Sequence, residues 1–278
     1  MPLPRVTLGR TGVEVTRLGL GGEGILRTFG EEKKAAALIR AALDLGITYF
    51  ESARAYAGSE SYYGATLGNR RKEIFLATKS HERTASGAER HLRESLSALR
   101  TDWIDLWQIH DLRTEEDLDA LFGPKGAMEA FARAKRDGAV RFLGITGHED
   151  PAILVRAMDR ADFDAVLLPV NPAEPAHLPF PSTVALRAAG KGMWVVGMKT
   201  LARGFLPRLA ADGDPGPFLR YALGTEGVDV IVTGCDSVEQ LAQNVRAVES
   251  APAPAPEERS SLEAAVSPLA RRLLYYKP

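Results

Sequence analysis

The sequence predicts a (β/α)8 TIM barrel with an N-terminal β-hairpin and a C-terminal helix. Three observations carry that expectation. Short β-type runs alternate with longer amphipathic helical stretches, and there are eight such alternations. Several of the runs are apolar throughout, as parallel strands covered on both faces are. The length of 278 residues suits a single α/β barrel domain of about 250 residues with a small appendage.

The elements follow in order. Residues 6–15 read as a hairpin with Gly9-Arg10-Thr11-Gly12 at its tip, placed to plug the bottom of the barrel. Strands are expected at 17–21, 48–50, 74–78, 104–109, 142–145, 165–169, 194–197 and 228–232. Amphipathic stretches lie between them, among them 31–45, 87–99, 127–137, 151–160 and 238–248. In the second of these, Leu92, Leu96 and Leu99 recur at helical spacing while charges fill the other faces. The runner-up is an open doubly wound sheet, which places a Gly-x-Gly-x-x-Gly turn directly after its first strand. The glycines Gly19, Gly21, Gly22 and Gly24 are read as not making that spacing, and the barrel is preferred. The alternating Ala-Pro run at 251–256 reads as a stiff connector to a final helix near 257–269. Residues 1–278 thus form one domain, with 251–278 an appendage to it.

Composition narrows the function. The chain is 45% hydrophobic and 26% charged with a net charge of −1, so no basic field points to nucleic acid or to an anionic membrane. Its single cysteine, Cys235, can build neither an internal disulfide nor a zinc cluster, and a reducing, cytoplasmic compartment is expected. Met1-Pro2-Leu3-Pro4-Arg5 lacks the pattern of a signal peptide, and no apolar stretch is long enough for a bilayer. The oligomeric state is not legible.

Barrel chemistry belongs at the C-terminal ends of strands. Strand two ends in Glu51, followed by Ser52-Ala53-Arg54-Ala55-Tyr56; strand three ends in Thr78-Lys79; strand four ends in His110-Asp111. A free tyrosine titrates near pH ~10 and is a poor proton donor at neutrality. An ammonium beside it favours the phenolate, and a carboxylate beside the ammonium keeps that charge in place. An imidazole opposite polarises a carbonyl oxygen. Such a set protonates an oxygen while hydride arrives at the attached carbon. Glu51, His81, His110 and Asp111 also suggest a metal-dependent hydrolase, but no His-x-His pair sits on the first strand and a lysine occupies the centre, so no metal site is expected.

From Leu8 to Val248 the sequence resembles the aldo-keto reductase family. The resemblance begins at Leu8-Gly9-Arg10-Thr11-Gly12 and Leu18-Gly19-Leu20-Gly21, and runs through 46–56 and Ala77-Thr78-Lys79. It continues through Asp105-Leu106-Trp107-Gln108-Ile109-His110 and Leu143-Gly144-Ile145-Thr146-Gly147-His148 to 234–244. It implies a carbonyl reductase tetrad of Glu51, Tyr56, Lys79 and His110, and a nicotinamide cofactor lying across the barrel mouth. Three positions depart from the family pattern near the reacting centre. Glu51 stands where aspartate is usual, Ala57 replaces the glycine after the tyrosine, and Gly147-His148 replaces the usual Ser-Asn. Leu167 replaces a glutamine, and Met198 an aromatic that often stacks on the nicotinamide.

The same resemblance assigns the cofactor contacts. Gly147, His148 and Met198 fall at the nicotinamide end, Lys199, Thr200 and Leu201 approach the pyrophosphate, and Gly21 and Gly22 are counted among the cofactor-binding residues. Gly234, Asp236, Gln240 and Asn244 fall at the adenosine end, where backbone N–H groups at a helix start suit phosphate. No lysine or arginine occurs in 234–240, and Asp236 suits a ribose hydroxyl better than a 2′-phosphate. The family pattern nevertheless puts NADP(H) first and NAD(H) close behind. The implied partner is a small-molecule aldehyde or ketone. A nicotinamide-binding sensor or regulatory subunit with little turnover is the alternative, motivated by Glu51, Leu167 and Met198. Tyr275-Tyr276-Lys277 either folds over the barrel mouth or packs on its side.

Overall fold

The computed structural model describes residues 2–210, 212–249 and 253–278. Arg5–Thr7 (β1) and Glu14–Thr16 (β2) pair antiparallel as the expected hairpin. Eight strands follow: Leu18–Gly24 (β3), Tyr49–Glu51 (β4), Phe75–Ser80 (β5), Ile104–Ile109 (β6), Val140–Thr146 (β7), Ala165–Pro169 (β8), Trp194–Met198 (β9) and Val230–Cys235 (β10). They run parallel and close in the order β10-β3-β4-β5-β6-β7-β8-β9. Glu32–Asp44 (α1), Ser59–Leu67 (α2), Ala85–Leu99 (α3), Glu115–Phe122 (α4), Ala127–Arg136 (α5) and Pro151–Arg160 (α6) cover the first half. Leu186–Gly190 (α7), Gly216–Leu223 (α8) and Val238–Glu249 (α9) cover the second, and Pro256–Val266 (α10) and Ala270–Leu273 (α11) follow.

The sequence contains no periodic signal for α2. Its buried positions Ser59, Glu60, Tyr62, Tyr63, Gly64 and Leu67 run nearly all round the helix and include polar groups. Elsewhere local chemistry sets the ends. Thr84 caps α3 by accepting from the Gly87 N–H at 3.2 Å, and Asp150 caps α6 with Pro151 in the first turn. Two residues of the Ala-Pro connector, Ala251 and Pro252, lie outside the described residues, and Ala255 leads directly into α10.

The glycines of the first barrel strand require a correction. Gly19, Gly21 and Gly24 do stand at Gly-x-Gly-x-x-Gly spacing. Placement, not spacing, excludes the dinucleotide-binding turn: all three lie inside β3, which is followed by a single 3-10 turn at Ile25–Arg27. They are small because the strand is crowded. A Cβ at Gly19 would lie 2.8 Å from the Tyr49 carbonyl oxygen, and one at Gly24 would lie 2.6 Å from that of Cys235.

Alternation along the strands determines the layers. Tyr49, Phe75, Leu106, Ala165, Trp194 and Val230 face inward near the strand starts, where Leu8 and Val15 of the hairpin join the same cluster. The hairpin therefore closes the bottom of the barrel. Two residues on from Tyr49 is Glu51, and two on from Ala77 is Lys79; both are buried. The same two-residue step carries Leu106 to Gln108 and then to His110. Four polar side chains, Glu51, Lys79, Gln108 and His110, thus reach the inner face above that layer by parity alone. Among the described residues no helix is long and apolar enough to cross a membrane.

Candidate active site

Register brings the first three residues together: Glu51 pairs with Ala77, and Lys79 with Gln108. Lys79 Nζ is in direct contact with Glu51 Oε1. The ammonium also donates to the Ser52 carbonyl oxygen at 2.8 Å and lies 3.5 Å from the Tyr56 hydroxyl. The other Glu51 oxygen accepts from the Gly22 N–H at 2.9 Å. The extra methylene of glutamate is therefore accommodated by a backbone brace, and the carboxylate still reaches Lys79.

Tyr56 lies in the loop between β4 and α2, and that loop is tied down at several points. Ser52 N–H donates to the Ala77 carbonyl at 2.8 Å, Arg54 N–H to that of Lys79 at 3.1 Å, and Tyr56 N–H to that of Ala53 at 2.9 Å. The Arg54 guanidinium reaches Glu94 of α3 at 2.9 Å. The phenol ring meets His110 edge-on, with centroids 5.9 Å apart, and Lys79 Nζ lies 4.7 Å from its centre. Gly22 is part of this packing. A Cβ there would lie 2.9 Å from Tyr56 Cδ2, Ser59 Oγ and the Glu51 carbonyl oxygen.

Burial dominates the electrostatics. It raises the Tyr56 phenol well above its ordinary range; Glu23 and Asp111 push the same way and Arg27 opposes. The sequence reading expects Lys79 to lower that value, and the net direction is the reverse. Burial of the phenol is the largest cause and outweighs the cations around it. Burial also lowers the Lys79 ammonium, with Lys199 and Arg27 adding and Glu23 opposing, while the touching carboxylate works to keep it charged. His110 is held well below its usual range, first by burial and then by the charge of Lys79. It is a neutral imidazole at pH 7, with a buried Nδ1 that has no hydrogen-bond partner.

Above these residues opens a cleft of about 1130 Å³ that extends across the barrel mouth to β10. Gly21, His148, Met198, Lys199, Thr200, Leu201, Gly234, Asp236, Gln240 and Asn244 line it with the tetrad. Gly22 and Gly147, also expected at the cofactor, are not in its wall. Gly22 packs beneath Tyr56, and a Cβ at Gly147 would lie 2.8 Å from the Leu112 carbonyl oxygen. His148 turns into the cleft and leaves the helix cap to Asp150. Leu167, Met198 and Val232 supply an apolar floor.

The cleft fits an extended dinucleotide. Lys199, Arg203 and Arg208 line it and make no ion pair among the described residues; their recorded neighbours are the rings of Tyr275, Tyr276 and Phe205. Three uncompensated cations on one wall suit a pyrophosphate. At the far end, Gln240 Oε1 accepts from the Asp236 N–H at 2.8 Å, and the Asn244 amide lies 3.3 Å from Thr233 Oγ1. Cys235 is buried and its thiol is pushed up to about 12, which makes it unreactive. No group of three or more metal-ligating side chains occurs among the described residues.

Sequence reasoning did not foresee Glu23, Arg27, Arg203 and Arg208 in the cleft, nor how Tyr275, Tyr276 and Lys277 enter it. Parity along β3 places Glu23 inward with Gly19 and Gly21, a signal that was available. Nothing in the sequence links the C-terminal residues to Glu174, a fully buried residue in the loop after β8. Tyr276 donates to Glu174 Oε1 at 2.6 Å, and Lys277 Nζ donates to Glu174 Oε2 at 2.7 Å. Lys277 is further held by the carbonyl oxygens of His177 and Leu178, at 2.7 and 2.9 Å. The tail lies over the mouth.

A closed parallel barrel with a Tyr-Lys-Glu-His cluster at its C-terminal face defines a class of oxidoreductase, and the comparisons agree. The family profile described as Aldo/keto reductase family matches residues 17–218, and the chain belongs to that family. It is 26% identical over 287 residues to the "Uncharacterized oxidoreductase YqkF" of Bacillus subtilis, covering 87% of this chain and 90% of that protein. Its structure superposes on the holo form of an aldo-keto reductase from Bacillus halodurans with a TM-score of 0.80 and 24% identity, over 95% of this chain and 96% of that one. An aldo-keto reductase from Klebsiella pneumoniae, solved in complex with NADPH, gives a TM-score of 0.78 at 20% identity, over 96% of each chain.

Proposed function

We propose that this chain reduces small aldehydes or ketones to alcohols with NAD(P)H, and that Tyr56 is the proton donor. The carrying observation is Lys79 Nζ, which touches the Glu51 carboxylate and lies 3.5 Å from the Tyr56 hydroxyl, beside a neutral His110. A bound reduced nicotinamide supplies hydride to the carbonyl carbon. Tyr56, kept protonated by burial, gives its proton to the carbonyl oxygen. Lys79 stabilises the phenolate that remains, and Glu51 holds Lys79 in place. His110 orients the carbonyl oxygen through an imidazole N–H. In the reverse direction Tyr56 is the base.

Lys199, Arg203 and Arg208 would hold the pyrophosphate, Gln240 and Asn244 the adenosine, and Met198 the face of the nicotinamide. NADP(H) is placed ahead of NAD(H) on the family pattern, although the segment after β10 offers no lysine or arginine to a 2′-phosphate. The Klebsiella structure, solved with NADPH, supports a nicotinamide cofactor without ranking the two. The sensor reading loses its main motive, because Glu51 reaches Lys79 despite its length.

The test follows cofactor oxidation at the nicotinamide absorbance with a panel of small aldehydes, alongside paired NADPH and NADH affinities. Turnover with tighter NADPH binding is expected. Tight cofactor binding without turnover on any carbonyl would return the sensor reading, and tighter NADH binding would reverse the cofactor order.

A further inference from the structure

We propose that Lys199 is a second, covalent carbonyl-binding site in this cleft: its Nζ forms a reversible imine with a small aldehyde, and that adduct excludes the dinucleotide. The competition with dinucleotide rests on the reductase reading above; the covalent site does not.

Lys79 and Lys277 carry buried ammonium groups, and each touches a carboxylate, Glu51 in one case and Glu174 in the other. Among the described residues Lys199 has no such partner. It follows Met198 at the end of β9, is half-buried, and lines the cleft. Around its Nζ lie the rings of Tyr276 at 4.9 Å and Tyr275 at 5.7 Å, and the Arg203 guanidinium stands 4.3 Å from the second ring. The backbone beneath is fixed. The Lys199 carbonyl oxygen accepts from the Ala202 N–H at 3.0 Å and from the Asn171 amide at 3.3 Å, and the same amide donates to the Tyr276 hydroxyl at 3.1 Å.

An amine attacks a carbonyl only in its neutral form, and desolvation or a neighbouring cation favours that form in a lysine. Lys199 has both. Burial lowers its ammonium, and Arg203 and Arg27 act in the same sense, with Glu23 and Asp111 opposing. The cleft brings the electrophile, since an aldehyde bound beside Tyr56 and His110 shares the same space. The Nζ lone pair bonds to the carbonyl carbon, and the π pair moves to oxygen, which takes one hydrogen from the nitrogen. The carbinolamine then loses that oxygen as water together with the second amine hydrogen, and a C=N bond remains. No oxidant or reductant is consumed. The adduct places an alkyl group where Lys199 would meet the pyrophosphate, so excess aldehyde opposes its own reduction.

The experiment incubates the native chain with propanal and cyanoborohydride, which reduces an imine to a stable amine. Peptide mass spectrometry follows each lysine, with and without NADPH or NADH. Lys199 should gain a propyl group at least about tenfold faster than the exposed Lys33, Lys72 and Lys125. Dinucleotide at about ten times its Kd, with binding read from nicotinamide fluorescence, should suppress that label by about tenfold. In Lys199→Met the fast phase of propyl incorporation should vanish and the surface rate remain. Labelling of Lys199 no faster than that of the surface lysines overturns the proposal. A label that persists with dinucleotide bound overturns the competition. Failure of both dinucleotides to bind removes the reductase reading, while fast labelling of Lys199 still establishes the covalent site.

Discussion

Two Glu-Lys-Tyr sets, each built on a buried glutamate, stand at the mouth of this barrel, and they differ in which residue sits in the middle. In Glu51–Lys79–Tyr56 the lysine touches both of the others. In Glu174–Lys277–Tyr276 the glutamate does, accepting from the phenol at 2.6 Å and from the ammonium at 2.7 Å. Burial raises both phenols. Their neighbours then act in opposite senses. An ammonium beside Tyr56 stabilises the phenolate left when a proton departs, whereas the Glu174 carboxylate adds to the rise at Tyr276 and keeps its proton on. Lys277 is also saturated by two backbone carbonyls, and Tyr276 accepts from Asn171 at 3.1 Å. On the mechanism proposed above the first set releases a proton, while the second fastens a tail. Residue composition is the same; the order of contact separates chemistry from clamping.

The tyrosines give the sharpest way to break this comparison. Tyr56→Phe should lower kcat by about 10²- to 10⁴-fold while dinucleotide affinity survives. Tyr276→Phe should instead cost about 1–3 kcal/mol of stability by leaving Glu174 and Asn171 short of a partner, read as a fall in Tm. Full activity in Tyr56→Phe would sink the assignment of the proton donor.

The lysines come next. Lys79→Met and Lys277→Met each strand a buried carboxylate, and each should destabilise by about 3–5 kcal/mol in denaturant titrations. Only Lys79→Met should also remove turnover at saturating substrate. If both variants lose turnover equally, the two sets do not divide the labour as described.

A third test uses pH. His148 packs edge-on to Tyr276 at 5.9 Å, and burial pulls its imidazole down to about 4. Its folded pKa lies below its unfolded value near ~6.5, so the unfolded chain takes up the proton first as pH falls. Stability linked to His148 is therefore fully present above pH ~6.5 and is lost down to about pH 4, by up to roughly 3 kcal/mol. His148→Gln should flatten the Tm profile across that window; an unchanged profile would place the titration elsewhere.

The smallest effect is expected at Glu51→Asp. The shorter side chain has to give up either Lys79 or the Gly22 N–H, and kcat should fall by about tenfold or less. A rise in kcat would mean that the brace works against the reaction.

Much of the candidate catalytic cluster was legible because strand parity is a sequence property. Glu51, Lys79 and His110 sit at the ends of apolar runs, and a two-residue period carries them to the same inner layer. The direction of the Tyr56 pKa was not legible, since it depends on how fully the phenol is desolvated and on the placement of Glu23, Arg27 and Asp111 around it. The cofactor positions divided similarly. Met198 follows by parity from Trp194 and Val196, whereas Gly22 and Gly147 serve backbone packing that only three-dimensional crowding reveals. Arg203 and Arg208 reach the cleft from a loop that carries no periodic signal.

The sequence by itself determined the barrel, the hairpin beneath it and the residues that strand ends deliver to the mouth. Those depend on local periodicity and side-chain parity, which need no knowledge of distant partners. Only the tertiary structure decided that Glu51 is braced by Gly22 and that Glu174 fastens Tyr276 and Lys277 over the cleft. Each is a contact between groups far apart in the chain or a balance of burial against charge, and neither quantity exists until the barrel has closed.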